Sequence, residues 1–232
     1  MSNFCKPLDT LLHNFSARMM DRMRLLTLLL VVAVLPLPAA AAPKVLVLGD
    51  SLSAAYGIAL EAGWVHLFQE RIRSRGLPHQ VINASVSGET TSGGLERLPD
   101  LLDKHEPELV LIALGGNDGL RGLPIPRMEE NLRAMLDSVQ AAGAEAALFE
   151  MRIPSNYGAT YTQRFRAAFS QVAEAEGAVL VPFLLADIAG DPSAFLDDGI
   201  HPSAQTQPVI LKAVWPHLLP MLGASKSGSD RN

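Results

Sequence analysis

The sequence predicts a three-layer α/β/α sandwich built on a five-stranded parallel sheet. Short runs rich in Val, Leu and Ile recur along the chain, and they alternate with longer amphipathic stretches. Strands buried on both faces have continuous apolar sequences, and a repeated strand–helix order places helices on both faces of a parallel sheet. The 232 residues, 48% of them hydrophobic, suffice for one such domain with a full core.

Five strands are predicted because each is a short apolar run bounded by polar or turn-forming residues. In chain order they are residues 44–49, 80–85, 108–115, 145–151 and 178–183. Five helices are predicted from apolar residues that recur every three or four positions. They cover residues 63–76, 95–105, 128–143, 161–177 and roughly 203–222. Glycines at the ends of the third and fourth helices indicate where those helices stop.

The first 42 residues have the layout of a secretory signal. Three arginines precede a mainly apolar run of 11 residues without a charge, 25–35, and a stretch rich in Pro and Ala follows. The run is too short to cross a bilayer unaided. We therefore expect cleavage near Ala42, release into the periplasm or the medium, and no stable membrane span afterwards. An uncleaved membrane anchor is the alternative.

The chain is thus divided into a segment over 1–42, a folded domain over 43–222 and a polar tail over 223–232. The net charge of −5 provides no basic surface for nucleic acid. The single cysteine, Cys5, lies in the segment expected to be removed, so we expect neither a disulfide nor a thiol nucleophile in the mature chain. The histidines lack ligand spacing, and no metal or other cofactor is expected.

Polar motifs follow the ends of the predicted strands. GDS, with Ser51, follows the first strand, SGET, with Gly88, follows the second, and GGND, with Asn117, follows the third. DDGIHP, residues 197–202, comes after the fifth strand. Because ligands bind beyond the carboxyl ends of parallel strands, these residues form a candidate site at one edge of the sheet.

Each of these residues alone also has an ordinary structural explanation. Ser51 could cap a helix, and Asp50 could do so instead. Asn117, after two glycines, could occupy a left-handed turn, and Gly88 could serve a plain turn.

The acid–histidine pair in DDGIHP is similarly ambiguous. Asp198 lies three residues before His201, a spacing that lets a carboxylate hold one ring nitrogen while the other faces outward as a base. The same pattern is common in solvated turns. Asp197 competes for the role, one residue further from the histidine.

Taken together, the four motifs resemble the sequence blocks of the GDSL, or SGNH, hydrolases. The matches are GDSL at 49–52, Gly88 in SGET, GGND at 115–118 and DGIH at 198–201, and the resemblance spans about 44–222. The surrounding phrases, among them NASVSGETTSGGL and LGGNDGLRG, look most like the periplasmic branch of thioesterase I, protease I, lysophospholipase L1 and the arylesterases. The resemblance implies a flavodoxin-like SGNH hydrolase fold.

The resemblance also implies roles for the site residues. Ser51 is expected to be the nucleophile, His201 the general base and Asp198 its orienting acid. The backbone N–H groups of Ser51 and Gly88 and the side-chain amide of Asn117 are expected to form the oxyanion hole. The chemistry agrees, because a serine hydroxyl needs a base to become nucleophilic and the tetrahedral intermediate needs preset donors.

The substrate is expected to be a small acyl ester or thioester, lysophospholipids included, and the enzyme a monomer. Apolar residues of two loops are predicted to contact the acyl chain: Leu120, Leu123, Ile125, Ile153, Pro154 and Tyr157. Three alternatives remain. These are a carbohydrate acetylesterase of the same superfamily, a non-catalytic acyl-binding module, and a flavodoxin-like receiver phosphorylated on Asp50.

Overall fold

A computed structural model of the protein describes residues 41–223. Its five strands form one parallel sheet in the order β2-β1-β3-β4-β5. They are β1 (Lys44–Gly49), β2 (Gln80–Asn83), β3 (Leu109–Ala113), β4 (Glu145–Phe149) and β5 (Val179–Val181). The predicted signal over 1–42 and the tail over 223–232 lie almost wholly outside the described residues.

Six α-helices occur between residues 41 and 223. They are α1 (Trp64–Ser74), α2 (Thr91–His105), α3 (Gly116–Leu120), α4 (Ile125–Ala141), α5 (Ala159–Glu176) and α6 (Gln207–Leu218). Helices α1 and α6 pack together, and α2, α4 and α5 pack in a row. The predicted fold class, a parallel sheet with helices on both sides, is confirmed. None of the helices in this part of the chain is long and apolar enough to span a bilayer.

Three differences from the predicted elements have local causes. Helix α2 begins at Thr91 rather than at residue 95, because Gly93 and Gly94 conceal its first turn in the sequence, while Thr90 caps it. Helix α3 was not predicted, since two of its five residues are glycines. The predicted last helix, 203–222, consists of α6 with a short 3₁₀ turn at each end.

The core lies on both faces of the central strands. Residues Val45–Leu48 of β1 and nearly all of β3 are fully buried. On one face, Trp64 packs against Phe149, with ring centroids 5.9 Å apart. Aromatic side chains bury large apolar areas, so this contact fixes the start of α1 against the sheet.

The sheet order brings three loops to one place. Strand β1 lies between β2 and β3, and its register pairs Gly49 with Ala113 and Val47 with Asn83. The three strands therefore end at nearly the same level. The loops that carry the GDS, SGET and GGND motifs emerge side by side at the carboxyl edge of the sheet.

Candidate active site

The loop after β1 is a series of tight turns, and no helix begins at Ser51. The backbone N–H groups of Ser53 and Ala54 donate to the carbonyl oxygen of Asp50, at 3.1 and 2.9 Å. The Asp50 side chain accepts a hydrogen bond from the Leu52 N–H at 3.1 Å. Asp50 therefore closes this turn, and the Ser51 hydroxyl remains available for another partner.

That partner is His201. Its Nε2 lies 2.9 Å from the Ser51 Oγ, and its Nδ1 lies 2.7 Å from the Asp198 Oδ2. The Tyr56 ring packs against the imidazole, with centroids 4.3 Å apart. Serine, histidine and aspartate are thus hydrogen-bonded in series, the geometry in which a histidine can remove a proton from a hydroxyl.

The DDGIHP segment folds so that Asp198 holds the histidine from its own turn. Its Oδ1 accepts the backbone N–H groups of Ile200 and His201, each at 2.9 Å. Gly199 takes a φ of +67°, which favours glycine at this position. These backbone hydrogen bonds, and then the one from the imidazole, lower the pKa of Asp198 to about 2. No hydrogen bond joins Asp197 to His201 in the described structure.

Gly88 lies in the loop after β2 with a φ of +80°, a backbone conformation that residues other than glycine rarely adopt. Its carbonyl oxygen accepts a hydrogen bond from the Arg121 Nη2 at 2.9 Å. The loop is tied to the nucleophile turn, because the Val86 N–H donates to the carbonyl oxygen of Gly49 at 3.0 Å.

Asn117 lies within α3, and the left-handed residue of this motif is Gly115, with a φ of +109°. The Asn117 Nδ2 donates to the Glu89 carbonyl oxygen at 3.0 Å and to the Asp50 Oδ2 at 3.3 Å. The amide therefore joins the loops that follow β1, β2 and β3.

A buried network behind these loops was not found by sequence reasoning. Both oxygens of Asp118 accept hydrogen bonds from Thr91, one from its backbone N–H at 2.9 Å and one from its hydroxyl at 2.6 Å. The Asn131 amide donates to the same hydroxyl at 3.0 Å. This network fixes the start of α2 to α3, so it sets the spacing between the Gly88 and Asn117 loops. Asp118, the acid of the GGND motif, was the one feature of the sequence that pointed to this network.

The candidate residues open onto a cavity of about 900 Å³. Ser51, Gly88, Asn117 and His201 all line it. Sequence reasoning missed several of its apolar lining residues, most of them in the segments after β4 and β5: Tyr56, Met151, Phe183, Leu185, Phe195 and Ile200.

Three of the six predicted acyl contacts, Leu120, Ile153 and Pro154, line this cavity, and the other three do not. Ile125 was predicted to lie in a loop, and this is wrong. It is the first residue of α4 and is buried in the core with 7% exposure. Leu123 is exposed outside the cavity. The Tyr157 hydroxyl donates to the carbonyl oxygen of Leu120 at 2.8 Å, so it supports the wall from behind.

The structure can also be compared with two other questions raised by the sequence, a metal site and phosphorylation of Asp50. Within residues 41–223, no three His, Cys, Asp or Glu side chains gather as a metal site would require. Asp50, the phosphate acceptor of the receiver alternative, is only 3% exposed and is hydrogen-bonded through both oxygens.

Serine hydrolases are recognised by serine, histidine and aspartate hydrogen-bonded in series, and this chain carries that arrangement at the carboxyl edge of a parallel sheet. The sequence profile of the GDSL-like Lipase/Acylhydrolase family matches residues 47–207. The chain belongs to this family, which confirms the resemblance seen in its motifs.

Individual relatives agree with this membership. The chain is 45% identical to "Esterase TesA" of Pseudomonas aeruginosa over 79% of its own length and 91% of that protein. It is 42% identical to "Thioesterase 1/protease 1/lysophospholipase L1" of Escherichia coli K12, over 79% and 87% of the two chains. A crystal structure of the psychrotrophic esterase EstA from Pseudoalteromonas sp., inhibited by monoethylphosphonate, superposes with a TM-score of 0.75 at 44% identity, covering 78% of this chain and 98% of that one.

Proposed function

We propose that the protein is an exported serine esterase that hydrolyses carboxylic esters and thioesters of acyl chains through an acyl-enzyme. The observation that carries the proposal is the continuous hydrogen-bonded series from Asp198 through His201 to Ser51, at 2.7 and 2.9 Å, opening onto a largely apolar cavity. A binding module has no need of a base on its serine.

The acylation step uses each of these groups once. The Ser51 Oγ attacks the carbonyl carbon of the substrate while the His201 Nε2 takes the hydroxyl proton. Asp198 stabilises the imidazolium that results. The carbonyl oxygen becomes an oxyanion and accepts hydrogen bonds from the N–H groups of Ser51 and Gly88 and from the Asn117 amide. When the intermediate collapses, His201 gives the proton to the leaving alcohol or thiol.

Deacylation repeats the same steps with water. His201 removes a proton from the water as its oxygen attacks the acyl carbon, and a second oxyanion forms in the same place. Collapse returns the proton to the Ser51 Oγ and releases the fatty acid. One ester bond is broken and one water consumed per cycle, without a metal or cofactor.

The names of the relatives support this substrate range. They include an esterase and a thioesterase that is also named a lysophospholipase, and the phosphonate-inhibited esterase is consistent with a nucleophilic serine. Lysophospholipids are accordingly included among the proposed substrates. The basic, apolar and Ala-rich order of residues 1–42 supports export.

Covalent labelling combined with a chain-length series tests the proposal. A fluorophosphonate probe should label the wild-type protein on Ser51, as located by peptide mass spectrometry, and should not label Ser51→Ala. Wild-type protein that has not been treated with the probe should hydrolyse p-nitrophenyl esters from acetyl to palmitoyl, an acyl-CoA and a lysophospholipid, and the probe should abolish this turnover. Absence of labelling would support the acyl-binding module. Turnover confined to acetyl esters would support the carbohydrate acetylesterase.

A further inference from the structure

Asp50 is a buried acid that lies beside the nucleophile Ser51. The proposed mechanism gives this acid no role. Its side chain is only 3% exposed, and both of its oxygens are engaged. Oδ1 accepts the Leu52 N–H at 3.1 Å, and Oδ2 accepts the Asn117 Nδ2 at 3.3 Å. It therefore touches both the turn that presents Ser51 and the amide proposed for the oxyanion hole.

We propose that Asp50 is a positioning residue that holds the Asn117 amide with its nitrogen toward the oxyanion. This inference rests on the proposed function and deepens it. Asp50 does not touch the substrate in this scheme and acts only through Asn117.

The contacts of Asn117 explain why an acid is needed. A side-chain amide can turn by 180° about its last bond, which exchanges its donor and acceptor ends. In the observed orientation, Nδ2 faces two oxygen atoms, those of Glu89 and Asp50. The turned amide would place its own oxygen against both, so the two acceptors select the donor orientation.

The unequal lengths of these bonds indicate which hydrogen serves the reaction. The Glu89 carbonyl holds one N–H at 3.0 Å, while Asp50 holds the other at 3.3 Å, a long and weaker bond. An oxyanion on the carbon bound to Ser51 can share the second hydrogen without displacing the first. Asp50 thus orients the amide but leaves its N–H available in the transition state.

An asparagine at position 50 cannot replace the carboxylate. Ionised aspartate accepts through both oxygens, whereas an amide offers one acceptor and one donor end. The Asp50→Asn side chain can accept a hydrogen bond from the Leu52 N–H or from the Asn117 amide through its single oxygen, but its amide nitrogen cannot accept the other one. We expect kcat to fall about tenfold to 10²-fold with little change in KM, which is no more than loss of an oxyanion donor itself costs.

A double-mutant cycle tests whether Asp50 acts through Asn117. Values of kcat on a p-nitrophenyl ester, counted per fluorophosphonate-reactive site, are needed for the wild type, Asp50→Asn, Asn117→Ala and the double variant. We expect Asp50→Asn to cost less than about threefold once Asn117 is absent. Equal costs in both backgrounds, or an Asp50→Asn kcat close to that of the wild type, would overturn the inference. Loss of labelling and turnover in the wild type would instead refute the proposed function.

The acid limb of the pH–rate profile is a second readout that does not require Asp50→Asn to fold. Burial raises the pKa of Asp50 to about 6, although the Leu52 N–H and a charge on His201 act against this. The titratable groups that face Asp50 are His201 and, across α3, Asp118. Protonation of Asp50 as the pH falls through about 6 weakens its hold on Asn117.

We therefore expect log(kcat/KM) of the wild type to fall with decreasing pH more steeply than that of Asn117→Ala, because in the variant Asp50 has no amide to hold. Equal slopes in the two proteins would overturn the inference. Asp118→Asn is the matched control, since it removes an equally buried carboxylate that binds Thr91 and not Asn117. It should lower the melting temperature and keep the steep limb, displaced to lower pH because the Asp118 charge helps to raise the pKa of Asp50. A flattened limb would count against Asp50.

Discussion

Ser51 and His201 are 150 positions apart in the chain, yet the hydroxyl oxygen of one lies 2.9 Å from Nε2 of the other. The two come from opposite ends of the domain, one directly after β1 and the other in the loop before α6. The antiparallel bridge between Phe195 and Pro202 closes that loop and presents the imidazole. Because this contact joins the two ends of the domain, activity should depend on how firmly the DDGIHP loop holds its histidine.

Asp198→Asn should therefore impair turnover far more than Asp197→Asn. The asparagine could still contact His201 but would favour the wrong ring tautomer, which costs up to about 10⁴-fold in kcat in the serine-protease template. Asp197 is the adjacent acid without a bond to the ring, so its variant is the matched control. Steady-state kinetics on a p-nitrophenyl ester would check this, and an inactive Asp197→Asn beside an active Asp198→Asn would contradict it.

Asn117→Ala should lower kcat by about 10²–10³-fold and change KM little, because an oxyanion donor acts mainly on the transition state. Slower but complete fluorophosphonate labelling of Ser51 is expected, since His201 and Asp198 remain. Thermal unfolding measured beside the kinetics separates this role from a structural one. A variant with a lowered melting temperature and normal kcat would show that Asn117 only holds its loop.

Much of the fold could be predicted from the sequence, because it depends on local patterns, whereas the roles of Ser51, Asp198 and His201 were predicted only from the four motifs together and the family that they resemble. Apolar runs mark β1 to β5, and Ser51, Gly88 and Asn117 each follow a strand. In a parallel sheet, that position alone brings them to one edge.

Other features depend on packing that the sequence does not encode locally. Helix α3 has too many glycines to be recognised, and Ile125 was assigned to a loop although it begins a buried helix. The role of Asp50 was invisible for the same reason. A turn-forming acid and a buried acid that orients an amide have the same letter in the sequence, and only the burial and the two acceptor contacts distinguish them.

Thr91→Val should destabilise the protein, because it removes the hydroxyl that links Asp118 to Asn131 inside the domain. The loss leaves a buried carboxylate oxygen and a buried amide without this partner, at a cost of about 1–3 kcal/mol in the free energy of unfolding. Thr162→Val is the matched control, since its hydroxyl is exposed near the start of α5 and should change stability by less than about 0.5 kcal/mol. Urea unfolding measures both, and equal effects would exclude the buried network as the cause.

The pH dependence of stability should carry the signature of Asp50. Because burial raises its pKa from 3.8 to about 6, the folded state holds this proton more tightly than the unfolded state does. Its contribution to stability is therefore greatest below pH 3.8 and is lost as the pH rises through 6. The free energy of unfolding of the wild type, minus that of Asp50→Asn, should fall by up to about 3 kcal/mol from pH 4 to pH 7. A difference that does not vary with pH would contradict the raised pKa.

Leu120, the last residue of α3, and Leu123, in the connection to α4, provide a matched test of where the acyl chain binds. Leu120 lines the cavity and Leu123 does not, although their exposures are similar at 36% and 39%. Leu120→Ala should lower kcat/KM for long-chain p-nitrophenyl esters by about 10-fold or less, since a few lost apolar contacts contribute on the order of 1 kcal/mol. Acetyl ester turnover should hardly change, because a two-carbon chain has little apolar surface to place against the wall. Leu123→Ala should leave the whole chain-length profile as it is. Equal loss of long-chain activity in both variants, or loss in Leu123→Ala alone, would contradict this prediction. The acyl chain would then not bind specifically against the wall that is lined by Leu120, Ile153 and Pro154.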